Sequence, residues 1–169
     1  MINKEKISVL FVCMGNICRS PTAEGVFRKL ASEHAALKKL EIDSCGTIGY
    51  HVGEPSDPRS VSAAKSRGYD LSAIRARQIS PSDLVYYDYI FAMDNENLSN
   101  ILKLTNGEKL HREKICLFLD YAQNNTTTSV PDPYYGGASG FDDVIDLIED
   151  ASEGFILHLL AQTSGKHKN

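Results

Sequence analysis

Apolar positions along the chain fall into short β-branched runs separated by longer stretches with helical spacing. Ile7–Cys13 (ISVLFVC) is short, apolar and β-branched, which predicts a central buried strand. Ser20-Pro21 then opens a helix, because Pro at the first helical position loses only an N–H that would be unpaired there. Ala23, Val26, Phe27, Leu30 and Ala31 recur at i, i+3, i+4, i+7 and i+8, so they share one face of it. Leu40–Ser44 (LEIDS) alternates and predicts a second strand. Residues 46–58 are Gly- and Pro-rich, and Asp57-Pro58 is placed to cap a helix that ends before Gly68. Asp88–Met93 (DYIFAM) and Lys114–Leu119 (KICLFL) predict two further strands, with a helix over Asn95–Leu104 between them. Gln123–Pro133 is polar and turn-rich. Phe141–Gln162 predicts a long amphipathic helix with Phe141, Ile145, Ile148, Phe155 and Leu159 on one stripe, and Ser164–Asn169 predicts a frayed tail.

Strands that alternate with helices imply a parallel sheet covered on both faces and joined by right-handed crossovers. Ligands of such sheets bind beyond the carboxyl ends of the strands. The loops at 13–20, 44–56, 94–97 and 120–140 therefore become the places to look for chemistry.

A length of 169 residues suits one domain, with a core over about 7–163. Hydrophobic residues at 42% and charged residues at 24% are globular values, which exclude a disordered or fibrous chain. A net charge of −4 argues against a nucleic-acid partner, since phosphate backbones demand a basic face. It leaves room for a small phosphorylated ligand in one positive pocket. No apolar run approaches a membrane span, so no membrane partner is expected. Lys4 and Lys6 before Ile7 mimic a secretion signal. The apolar stretch is short, however, and no small-residue cleavage site follows, so the expectation is a cytoplasmic protein starting near Met1. Cysteines at 13, 18, 45 and 116 are too sparse for a disulfide scaffold and lack metal spacing, which favours a reducing compartment.

The loop Cys13-Met14-Gly15-Asn16-Ile17-Cys18-Arg19 joins the first strand to the first helix. A Cys-x5-Arg spacing alone arises easily by chance, but here the Cys ends a strand, the Arg begins a helix, and Gly and Asn lie between. Such a loop can turn successive backbone N–H groups toward one centre and cradle an anion. Gly15 and Asn16 tolerate the positive φ that this turn calls for. Arg19 adds a bidentate fork for phosphate oxygens. A cysteine at the bottom of that pocket is favoured as thiolate, which is a nucleophile toward bound phosphate. The alternative is a buried structural Cys beside a surface Arg. Expulsion of an alkoxide or phenoxide also needs a proton donor, and Asp132 in Asp132-Pro133-Tyr134-Tyr135-Gly136 lies in a loop on the same sheet edge. Tyr134 and Tyr135 can wall an aromatic leaving group.

With both elements in one chain, the sequence resembles the low-molecular-weight protein tyrosine phosphatases. The stretch V-C-M-G-N-I-C-R-S-P-T-A-E at 12–24 resembles their signature loop and D-P-Y-Y-G at 132–136 their acid loop. D-S-C-G-T (43–47), R-A-R-Q (75–78) and F-A-M-D (91–94) match intermediate segments in the same order. The resemblance covers about 7–160. It implies a three-layer, Rossmann-like domain with a four-stranded parallel sheet flanked by helices, and a cysteinyl-phosphate intermediate with no metal or cofactor. It implies Cys13 as nucleophile, Arg19 as phosphate ligand and Asp132 as general acid, with residues 14–19 (Met14, Gly15, Asn16, Ile17, Cys18, Arg19) forming the phosphate-binding loop. Ser20 would bond the Cys13 sulfur, Asn16 supported by Ser44 would hold the turn, and Met14, Ile17, Tyr50, His51, Tyr134 and Tyr135 would line the slot. Cys18 would form a reversible disulfide with Cys13. The partners implied are a phosphotyrosine protein and a cognate tyrosine kinase, and the chain is expected to be a monomer, with weak dimerisation through the active-site face as the alternative. The family often carries a His before R-A-R, where this chain has Ala73-Ile74. Three other readings compete. An arsenate reductase would need relay cysteines late in the chain, and bacterial phosphoarginine phosphatases, which resemble this loop, carry Thr where this chain has Ile17. A non-catalytic phosphate-binding module would lack the nucleophile, the Arg or the acid.

Overall fold

The computed structural model describes residues 6–137 and 139–165. Four parallel strands stand in the order β2-β1-β3-β4, with β1 at Ile7–Cys13, β2 at Leu40–Gly46, β3 at Tyr89–Ala92 and β4 at Ile115–Leu117. Helices α1 (Arg19–Ser32), α2 (Pro58–Ser66) and α6 (Ser139–Gly165) pack on one face. Helices α3 (Pro81–Tyr86) and α4 (Asn95–Leu104) cover the other, and the single turn α5 (Lys109–Arg112) precedes β4. This is the three-layer arrangement expected from the alternating pattern.

The alternation of side chains along β1 explains both cores. Val9, Phe11 and Cys13 face α1 and α6, whereas Leu10 and Val12 face α3 and α4. The first face is filled by aromatic rings meeting edge to face: Phe11 and Phe118 at 4.9 Å, Phe91 and Phe155 at 4.8 Å between centroids. The stripe expected on the last helix is buried in full. Because Cys13 is the last residue of a central strand and points into the larger core, its side chain is fixed by packing before any loop is considered.

Several boundaries differ from the sequence reading. Helix α1 takes in Arg19, and β2 runs two residues further, to Gly46, because Cys45 and Gly46 stay paired with Val12 and Cys13 at the end of β1. The run at 114–119 divides into β4 and a tight 3-10 turn over Phe118–Tyr121, which steers the chain toward α6. Ser164 and Gly165, expected to fray, continue α6. Residues 166–169 of that tail, like Lys4 and the start at Met1, lie outside the described residues. The Asp57 cap is present: its carboxylate accepts from the Arg59 N–H at 2.8 Å, with Pro58 at the first helical position. Among the described residues no helix is long and apolar enough to cross a membrane.

Candidate active site

The loop after β1 closes on itself around the Cys13 sulfur. The Asn16 N–H points at Sγ from 3.3 Å and the Ser20 hydroxyl lies 3.0 Å away. Asn16 takes a left-handed conformation with φ of 57°, which Asn tolerates better than most residues. Its side chain then serves as the keystone of the turn. The amide donates to Ser20 at 2.8 Å and to Ser44 at 3.0 Å, and its oxygen accepts from the Arg77 N–H at 3.0 Å. Gly15 departs from expectation, because its φ is not positive. Its requirement is space: a Cβ there would sit 3.1 Å from the His51 ring.

Besides Arg77, two supporting residues escape the sequence reading. Glu24, on the first turns of α1, accepts from the Ser44 hydroxyl at 2.7 Å and from Arg28 at 2.8 Å. Burial pushes its carboxyl up, against the pull of those two hydrogen bonds. Gly46 is the second. Met14 and Cys13 carbonyls accept from Ile48 and Thr47, so the chain leaving β2 zips along the loop after β1. A Cβ on Gly46 would lie 2.6 Å from the Met14 carbonyl oxygen. Gly46→Ala is therefore expected to push the loop out of shape. We expect about 1–3 kcal/mol of lost stability in urea unfolding and at least about a tenfold loss of phosphatase activity.

Arg19 opens α1 and is only 3% exposed. Its Nη1 donates to the Asp94 carboxylate at 2.6 Å and to the Val130 carbonyl at 3.1 Å. Asp94 is itself fixed as the cap of α4, accepting from the Asn97 N–H at 2.7 Å. Arg19 Nη2 stands 3.6 Å from Asp132. Burial opposes the guanidinium charge, but Cys13 and Asp94 raise it further above neutral pH. Asp132 is partly exposed, and its carboxylate accepts from the Tyr134 N–H at 3.1 Å.

Above this floor opens a cleft of about 330 Å³. It brings together Cys13, Met14, Ile17, Cys18, Arg19, Tyr50, His51, Asp132, Tyr134 and Tyr135, every one named from the sequence, and it adds Ile48. Tyr50 and His51 meet edge to face at 4.8 Å, as do Tyr134 and Tyr135 at 4.9 Å, so each side of the cleft carries an aromatic pair. His51 is anchored by Glu54 at 2.6 Å. Burial pushes the Cys18 thiol up to about 12, opposed by its bond with Ser60 and reinforced by Asp57. Cys45 and Cys116 are likewise raised by burial and stand away from the cleft.

Comparison with known proteins follows the same lines. The family model for low molecular weight phosphotyrosine protein phosphatases matches residues 8–166. The low molecular weight phosphotyrosine protein phosphatase of Schizosaccharomyces pombe is 44% identical over 153 residues, covering 90% of this chain and 96% of its own. The crystal structure of a protein tyrosine phosphatase from Entamoeba histolytica superposes with a TM-score of 0.88 at 43% identity, over 93% of this chain and 99% of that one. A Drosophila arginine phosphatase superposes with a TM-score of 0.82 at 33% identity, over 89% of this chain and 96% of that one.

Proposed function

The chain belongs to the low-molecular-weight phosphotyrosine protein phosphatases, and from that premise we propose that it hydrolyses phosphotyrosine and small aryl phosphates through a phosphocysteine at Cys13. One observation carries the reading: a buried cysteine sulfur with a hydroxyl and an N–H aimed at it, lying below an arginine and a carboxylate 3.6 Å apart. Residues 1–169 act in this reading as one phosphatase domain.

The Cys13 thiolate attacks phosphorus in line with the ester oxygen. The P–O bond to tyrosine breaks, and Asp132 gives its proton to the leaving phenolate. The backbone N–H groups of 14–19 and the Arg19 fork take up the charge on the three equatorial oxygens, which carry it in a loose transition state. Water then attacks the phosphocysteine while the Asp132 carboxylate takes its proton. The S–P bond breaks, the electron pair returns to sulfur, and the Ser20 hydroxyl donates to the thiolate that forms. Asn16 and Ser44 hold the loop. No metal or cofactor enters these steps. The proposed partners are a phosphotyrosine protein and the kinase that made it, the proposed compartment is the cytoplasm, and the proposed state is monomeric.

The likeness to an arginine phosphatase raises a second substrate. Two features favour tyrosine: apolar Ile17 in the cleft wall, and the Tyr134–Tyr135 pair that offers a ring face. A phosphoserine, shorter than a phosphotyrosine by the length of a ring, offers no face to these aromatic walls. The expected kcat/KM for a phosphotyrosine peptide exceeds that for matched phosphoserine and phosphoarginine peptides by at least about a hundredfold. Equal turnover of the three would refute the tyrosine assignment.

Cys18 takes the resolving role. Peroxide converts the Cys13 thiolate to a sulfenic acid, and the Cys18 thiol condenses with it to give a disulfide and water. Burial raises the Cys18 thiol, so it enters this step as the thiol and the proton leaves with the water formed. Peroxide inactivation of the native chain is expected to reverse fully with dithiothreitol, and that of Cys18→Ser to become irreversible. Full recovery of the variant removes the role.

A further inference from the structure

The first turn of α2 touches both loops of the site. The Asp57 N–H donates to the Ile17 carbonyl at 2.8 Å, which ties the start of α2 to the phosphate loop. The buried Asp57 carboxylate holds Arg59 by a fork, Nε at 3.1 Å and Nη2 at 2.9 Å. So held, the Arg59 guanidinium carbon lies 4.8 Å from the centre of the Phe141 ring and 5.4 Å from that of Tyr134. Phe141 is buried at the start of α6. The Tyr134 N–H is the group that donates to the Asp132 carboxylate.

We propose that Arg59 is a positioning residue for the general acid, clamping Tyr134 and through it Asp132 above Cys13. This rests on the reading of Asp132 as the acid. Residues 131–137 form neither helix nor strand. Before them the chain is pinned where the Val130 N–H donates to the Met93 carbonyl at 2.8 Å. The ion pair from Arg19 to Asp132 cannot serve as the anchor during catalysis. A bound phosphoryl group claims the Arg19 fork, and an acid about to donate its proton carries no charge. The stack of Arg59 on Tyr134 is independent of both events, because its counter-charge is Asp57. A planar cation between two rings restrains Tyr134 in place and angle, and the backbone N–H of the same residue aims the carboxyl. Through the Asp57–Ile17 bond the clamp also keeps the acid loop in register with the phosphate loop.

The test is the dependence of kcat/KM on the leaving group. This parameter reports the steps up to P–O cleavage, where proton donation matters for a tyrosine leaving group and not for dinitrophenolate, which departs unprotonated. Arg59→Met keeps the aliphatic stem and loses the plane and the charge. It is expected to lose about fivefold on a phosphotyrosine peptide and less than about twofold on 2,4-dinitrophenyl phosphate. Arg59→Lys, which keeps charge without the fork, is expected to resemble it. Phe141→Leu, which removes the second ring, is expected to move in the same direction. Equal losses on the two substrates, or none on either, overturn the proposal. Asp132→Asn is the reference. If it shows the leaving-group dependence and Arg59→Met does not, the clamp alone fails. If Asp132→Asn itself shows none, the acid assignment fails and the clamp with it.

Discussion

Cys13→Ser is expected to fold like the native chain and to release phosphate from a phosphotyrosine peptide at least about 10⁴-fold more slowly. The substitution leaves an oxygen where Ser20 and the Asn16 N–H converge, so the hydrogen bonds that shape the loop keep a partner. A serine hydroxyl is a far weaker nucleophile toward phosphorus than a cysteine sulfur. Stability should change by no more than about 1–2 kcal/mol, since the site is buried but the replacement is small and polar-matched. Phosphate release measured beside a thermal melt separates the two effects. Residual turnover above about a hundredth of native would point to another nucleophile.

The second large effect is expected for Arg19→Lys. The buried guanidinium does two things at once: Nη1 is committed to Asp94 and the Val130 carbonyl, and Nη2 stands 3.6 Å from Asp132 on the cleft side. Lysine keeps the charge that neutralises Asp94, so the chain should fold. One ammonium cannot bond Asp94 and also bracket two phosphoryl oxygens. We expect kcat to fall by about 10²–10³-fold, the range seen when a preorganised transition-state donor is removed. Arg19→Ala would add a folding defect of about 1–3 kcal/mol, because Asp94, still capped by the Asn97 N–H, would lose its counter-charge. A lysine variant with near-native kcat would show that Arg19 is structural.

Much of this site is legible in sequence because its residues are local. Cys13 through Ser20 form one continuous turn, so strand, Gly, Asn, Arg and helix start can be read side by side. Asp132, far along the chain, was reachable because a parallel sheet gathers the loops at its carboxyl edge. Glu24, Arg77 and Gly46 were harder to find. Glu24 and Arg77 act through hydrogen bonds to Ser44 and Asn16 across β2 and a loop, and no spacing announces such a contact. Gly46 is needed for a close backbone approach that exists only after β1 and β2 have paired. Helix α3 was missed for a different reason. Six residues show no periodicity, although Ser80-Pro81-Ser82-Asp83 carries a capping signal, with the Ser80 N–H donating to Asp83 at 2.8 Å. No motif marks Arg59 in the sequence, and only the docking of α6 and of the loop before it brings Phe141 and Tyr134 within reach of its guanidinium.

A covalent bond between Cys13 and phosphorus is open to trapping. Asp132→Ala, mixed with 2,4-dinitrophenyl phosphate and quenched in acid on the millisecond scale, forms the intermediate without needing an acid and lacks the base that would clear it. The expected result is a burst of dinitrophenol equal to the enzyme present, and a phosphoryl group on the peptide that carries Cys13. Steady release with no phosphoenzyme, or a phosphoryl group on any other residue, would contradict it.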